Sequence, residues 1–137
     1  MYARLLEPPP DLGPLAAAAR RAVAAMRAHP EMVAGTDRLC SELIRTGAGA
    51  GLIAKIGAEG FYGLACRRRR RSIGIALKIS DGEGQRSRFS AAIETLRQLG
   101  TLDDAAAAAL RERFVGGIQR HRGLPVGQVK TIFQLKV

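Results

Sequence analysis

The sequence contains no tryptophan, and its aromatic residues are four phenylalanines and two tyrosines in 137 positions. Single-stranded nucleic acid is held largely by stacking bases on aromatic rings, so a chain this poor in them has little material for such a platform. Cysteine is nearly as scarce. Cys40 and Cys66 show no CxxC spacing, which argues against a disulfide framework and a zinc cluster and sets the expectation of a reducing, cytoplasmic compartment. The opening stretch MYARLLEPPPDLG has no apolar run of signal-peptide length. Nowhere do about 18 apolar residues follow one another without charge, so a soluble protein with no membrane partner is expected.

Acidic residues are few as well: 12 Asp and Glu face 22 Lys and Arg, a net charge of +10. Half of that excess lies in one run, Arg67 to Arg71. Such a run commonly marks a solvated turn, and the same clustering attracts polyanions.

What is present is enough apolar material, 47% of residues, for one modest core, and residues 1–137 are expected to form a single domain or part of one. Pro14 fits the first turn of a helix along which Leu15, Ala19, Val23 and Met26 recur, and Pro30 stops that helix at His29. Thr36 or Asp37 is placed to cap a second helix, with Leu39, Leu43 and Ile44 on one face and Gly47 at its end. The period then changes. Residues 52–56 and 61–66 read as two short strands around Gly57-Ala58-Glu59-Gly60, and a third follows the arginine run. Along that third strand Ile73, Ile75, Leu77 and Ile79 share one face, while Gly74, Ala76 and Lys78 share the other, where small side chains leave room for a helix.

Asp81-Gly82 signals a turn, Phe89, Ala92, Ile93 and Leu96 mark a helix closed by Gly100, and Thr101 or Asp103 starts another that ends at Gly116-Gly117. Alternation from Gly127 to Val137 predicts a closing strand. The sum is an α+β fold, an antiparallel sheet packed by helices.

Lys55 stands inside an apolar strand, and burying an ammonium is costly without a partner or a cleft. The simplest expectation is an edge strand from which Lys55 reaches solvent. Lys55-Ile56-Gly57 also fits the Lys-x-Gly pattern of serine hydrolases of the β-lactamase kind, in which a strand lysine sits beside the nucleophile. A glycine there leaves the strand backbone open to substrate, and Ala58 N–H is then placed to face an oxyanion.

Five segments in order, Ala3-Arg4-Leu5, HPEMVAGT from His29 to Thr36, AKIGAEG from Ala54 to Gly60, GIALKISDG from Gly74 to Gly82, and Gly123-x-Pro125-Val126-Gly127, resemble segments of the bacterial asparaginase II (class 3 asparaginase) family. The resemblance spans almost the whole chain. It implies hydrolysis of L-asparagine to L-aspartate and ammonia on a fold similar to serine β-lactamases and glutaminases. It assigns Lys55 as the catalytic lysine, matches Gly57 and Ala58 to the substrate-binding strand edge, and leaves Glu59 to orient the lysine, contact a substrate amine or form a salt bridge.

Members of that family are longer and carry, ahead of this region, a Ser-x-x-Lys nucleophile, a second serine and the cysteines of a metal site. The residues three after Ser41, Ser72, Ser80, Ser87 and Ser90 are Ile44, Ile75, Glu83, Ser90 and Ile93, so no serine here has its activating lysine. Covalent acyl transfer needs both groups. The expectation is therefore the C-terminal half of an asparaginase, truncated or split, inactive alone, with no cofactor and no metal of its own. Its expected partners are L-asparagine, an N-terminal half bringing the nucleophile, and a second copy in a homo-oligomer.

Cys40 is expected to be a buried helix cysteine, His29 a helix-end residue, and Asp37 and Arg38 a cap and a surface ion pair. The alternative function is a basic polyanion-binding module that uses Arg67 to Arg71 on nucleic acid.

Overall fold

In the computed structural model, which describes residues 1–80 and 84–136, a three-stranded sheet occupies the middle of the chain. Strands β1 (Ile53–Ile56), β2 (Phe61–Arg68) and β3 (Arg71–Lys78) run antiparallel in that spatial order, which leaves β1 and β3 at the edges among the described residues. Register places Tyr62 opposite Leu77, Leu64 opposite Ile75 and Cys66 opposite Ile73. Alternation therefore gathers these six on one face and turns Gly63, Ala65, Gly74 and Ala76 to the other, as the sequence of the third strand predicts.

The apolar face is covered by α4 (Leu39–Thr46), α5 (Gln85–Gln98) and α6 (Asp104–Phe114), whose Leu39, Leu43, Ile44, Phe89, Ile93 and Leu96 close around Tyr62 and Leu64. On the opposite face α1 (Tyr2–Leu6) and α2 (Pro14–Ala28) form a smaller cluster in which Leu6 and Val23 meet Ile53 and Ala65. Helix α1 can lie on the sheet only because that face is nearly bare. A Cβ at Gly63 would overlap the Tyr2 ring, and one at Gly74 would sit 2.9 Å from Ala3 N. The architecture is α+β, an antiparallel sheet packed by helices. No helix among the described residues is long and apolar enough to cross a membrane.

Local signals set most boundaries. The Asp103 carboxylate caps α6 by accepting Ala106 N–H at 2.7 Å, and α2 ends with His29 N–H donating to Ala25 O, one residue before Pro30. Two expectations are corrected. Neither Thr36 nor Asp37 caps α4: Arg38 holds the N-cap position without a side-chain bond, and Asp37, in the left-handed region at φ 56°, gives its carboxylate to Arg113 of α6. A charged partner from a distant helix outcompetes backbone N–H groups that water can satisfy.

The closing strand is also shorter than the alternation predicts. β5 (Pro125–Gln128) pairs with β4 (Gly117–Gln119) in a separate ribbon. The residues from 129 to 136 form no strand and dock on a helix side chain, with Gln98 Nε2 donating to Phe133 O at 3.0 Å and Leu135 N–H donating to Gln98 Oε1 at 2.7 Å. The Asp81-Gly82 turn and Val137 lie outside the described residues.

Glu94 of α5 is the one carboxylate among the described residues that is drawn into the core, its side chain 8% exposed. It accepts from Arg97 Nη2 at 2.8 Å, from Gln98 Nε2 at 2.7 Å and from Arg111 of α6. The Arg97 hydrogen bonds outweigh the cost of burial and hold its pKa down at about 2, against an ordinary value of 4.5. A carboxyl with a depressed folded-state pKa contributes stability that is complete above its unfolded value and lost as pH falls toward the folded one. The shift corresponds to a contribution on the order of 3 kcal/mol at neutral pH. Glu94→Gln is expected to lower the melting temperature at pH 7 and to flatten the fall in stability between about pH 4.5 and 2, as measured by thermal melts across that range.

Candidate active site

Hydrogen-bond alternation decides which backbone groups of β1 face outward. Gly57 N–H donates to Phe61 O at 2.9 Å, so Gly57 and, two residues earlier, Lys55 opposite Gly63 direct their amides toward β2. The amide of Ile56 consequently points to the free edge. Among the described residues Ala58 N–H donates to no acceptor. Lys55 is exposed and folds along this same edge, with Nζ 3.3 Å from Ile56 O. An ammonium on the open strand edge thus lies close in sequence to a turn amide that donates to nothing, two groups suited to receiving an anionic or polarised carbonyl oxygen.

The turn after β1 is tight. Phe61 N–H donates to Ala58 O at 3.1 Å, and Glu59 and Gly60 between them both have positive φ, 51° and 73°, as the two central positions of a type I′ turn require. Glu59 is an uncommon residue for that conformation. Its carboxylate is turned to Lys78, 3.7 Å from Nζ, and that same ammonium donates to Glu59 O. Glu59 therefore pairs with Lys78 across the sheet and not with Lys55. Gly57 has a structural requirement of its own, because a Cβ there would lie 2.7 Å from the Phe61 ring.

Three neighbours of the edge escape any reading of the sequence. Arg88, near the start of α5, donates from Nη1 to Gly57 O at 3.3 Å and so ties the turn to the helical layer. Tyr2 lies over Gly63, the residue paired with Lys55, and walls the Lys55 side of the sheet. Lys78 holds Glu59. A helix arginine, an N-terminal tyrosine and a strand lysine carry no spacing that would single them out; only the folded chain brings them together.

The remaining candidates are structural. Cys40 is buried, as expected of a helix cysteine, with Sγ 3.1 Å from Tyr62 Oη. Burial and then the nearby thiol push the Tyr62 phenol far above its ordinary range, so it stays protonated. Cys66 accepts from Thr101 Oγ1 at 3.3 Å. Among the described residues no three His, Cys, Asp or Glu side chains converge on a point where a metal could sit. The His29 ring is exposed and 3.6 Å from Glu31, and the buried Ser41 hydroxyl is shared between Pro30 O and Gly35 O, which pins the HPEMVAGT segment and its short α3 (Glu31–Ala34) against α4. Ile56 and Arg88 also line a cavity of about 240 Å³ against Leu39, Cys40, Phe89 and Phe114, which Lys55 does not line.

These features define an α+β protein whose open sheet edge presents a lysine, followed by a turn with an unused amide. The chain matches the family model for L-asparaginase II over residues 1–131. It belongs to the L-asparaginase II family, and at that level its function is of asparaginase type with L-asparagine as the amide substrate. A search of curated proteins finds no match.

Arg88→Met is expected to keep the fold while loosening the turn, with a stability loss of about 1 kcal/mol. Hydrogen exchange is the measurement: the amides of Gly57 and Phe61 should exchange faster in the variant, whereas unchanged protection would show that Arg88 does not hold the turn.

Proposed function

We propose that this chain supplies the lysine-bearing strand edge of an L-asparaginase site and that the nucleophile comes from residues outside these 137. The observation that carries this reading is Lys55 Nζ beside Ile56 O at the open edge, followed by the unused Ala58 N–H in the turn, inside the AKIGAEG segment of a chain in the L-asparaginase II family. In the reaction a hydroxyl oxygen of the missing segment bonds to the side-chain amide carbon of L-asparagine, the C–N bond breaks, and nitrogen leaves as ammonia after gaining a proton. Water then cleaves the resulting ester to release L-aspartate and restore the hydroxyl.

Two negative charges need stabilising along that path, and Lys55 and Ala58 N–H are the groups for it. The ammonium stands where it lowers the energy of the nucleophile's anion and of the oxyanion, and the amide N–H donates to the oxyanion. Glu59, whose side chain is 86% exposed, is free to exchange Lys78 for the substrate α-ammonium. The bare edge at Gly57 and Ala58 receives the substrate. The fold reading that accompanies this one is a β-lactamase-like sheet completed by the nucleophile-bearing half, and free, buried Cys40 and Cys66 suit a reducing cytoplasm.

Ammonia release from L-asparagine is the test, with the purified chain alone and mixed with a separately expressed N-terminal half of an L-asparaginase II family member. Activity in the mixture only is expected; activity in neither, from a chain that melts cooperatively, would remove the hydrolase reading. In the active mixture Lys55→Ala should lower kcat by roughly 100-fold or more, the scale of losing one transition-state donor. Because Lys55 is exposed, the melting curve should barely move. Unchanged turnover would remove Lys55 from the site.

A further inference from the structure

The chain reverses inside its arginine run. Arg67 and Arg68 end β2, Arg71 opens β3, and Arg69 and Arg70 make the turn between them. Register sets Arg68 directly opposite Arg71, and like charges across an antiparallel pair are destabilising. Arg69 adopts φ 56°, a left-handed conformation that turns ordinarily give to Gly or Asn. Arg67 projects from the other face, toward α2: a Cβ at Gly51 would meet Arg67 Cδ at 3.9 Å and Arg27 Nη1 at 4.0 Å, so a further guanidinium adjoins the base of the hairpin.

Some arginines outside the hairpin are paired. Arg4, Arg45, Arg97, Arg111 and Arg113 each hold a carboxylate. Among the described residues none of Arg67 to Arg71 forms an ion pair. A turn that needs only solvation is satisfied by Ser, Asn or Gly. This one keeps an opposed cationic pair and a left-handed arginine, and a ligand carrying several closely spaced negative charges would relieve the first of these.

We propose that the Arg67–Arg71 hairpin binds the phosphate backbone of double-stranded nucleic acid without reading its sequence. Guanidinium groups pair with phosphate oxygens through two parallel hydrogen bonds, and their fan around a protruding turn spans several phosphates. Duplex is favoured over single strand because positions 67–72 hold no aromatic residue on which a base could stack. Duplex is favoured over a lipid surface because positions 67–72 hold five arginines and a serine, with no apolar side chain to enter the acyl boundary. The tip lies at the end of β2 opposite Phe61, roughly 20 Å from the edge that carries Lys55, so it does not depend on the hydrolase reading.

Fluorescence anisotropy of a 20-base-pair duplex of arbitrary sequence, titrated with the full chain at several salt concentrations, tests this. With about four phosphates engaged, affinity should fall roughly 100-fold between 50 and 200 mM salt. Replacing all five arginines with serine should abolish binding. Arg71→Thr keeps the fold testable if the fivefold variant does not: it should weaken binding several-fold, reduce the salt slope by about one, and raise the melting temperature of the free protein in low salt by removing the opposed pair. Equal affinity and slope in Arg71→Thr, or affinity indifferent to salt, would overturn the proposal. Binding to phosphatidylserine vesicles without binding to the duplex would overturn it too.

Discussion

The charge of Glu94 governs how the helical layer meets the sheet. A carboxylate withdrawn from water is tolerated only when its oxygens are fully engaged, and here the partners come from two helices. Arg97 and Gln98 lie on α5 itself, Arg111 lies on α6, and Gln98 in turn holds the backbone at Phe133 and Leu135. Sliding α5 by one turn, or rotating it, would break the bond from Arg111 of α6. The opposite stripe of that helix, Phe89, Ile93 and Leu96, is thereby held in one register against β2 and β3. Arg88 belongs to the same helix, so its bond to Gly57 O transmits this placement to the turn that follows Lys55. A buried ion cluster far from the site fixes the height at which the edge of β1 is presented.

The second constraint is the bareness of the opposite face. Gly63 and Gly74 give up side-chain packing so that α1 can approach the backbone, with the Tyr2 ring lying where a Gly63 side chain would be. Burial on this side is confined to Leu6, Ala16, Val23, Ile53 and Ala65, a much smaller cluster than the one beneath α4, α5 and α6. Lys55 therefore stands at the thinner side of the molecule. Exposure fits the simplest reading of a strand lysine, and the role proposed for Lys55 draws on its reach along the open edge to Ile56 O.

What the sequence made legible was whatever local physics controls. Alternation at Ile73, Ile75 and Leu77 reported the true faces of β3, Pro30 ended α2, and Asp103 capped α6. Where reading failed, a distant partner intervened. Asp37 looked like a cap until Arg113, 76 positions away, claimed its carboxylate. Alternation after Gly127 predicted a strand where residues 129–136 form none, because Gln98, and not a neighbouring strand, bonds that segment. Helix α1 is five residues long, too short for any period to show. Of the site, Lys55, Gly57, Ala58 and Glu59 were legible as a motif; the Glu59 partner Lys78 and the turn's tether Arg88 were not, since both depend on contacts 19 and 31 positions apart.

Strand β2 joins the two ends of the molecule and explains why each tolerates unfavourable local choices. Residues Tyr62 to Ala65 are buried and paired on both sides, so the centre of the strand cannot shift to relax either end. At one end a glutamate is held at positive φ, and at the other an arginine is, with a like-charged pair beside it. Neither cost spreads through a core packed on both faces, and each end exposes charge to solvent. A rigid central strand thus separates two exposed reversals of different chemistry. Changes at the arginine hairpin can alter what the protein adheres to without moving the edge that carries Lys55.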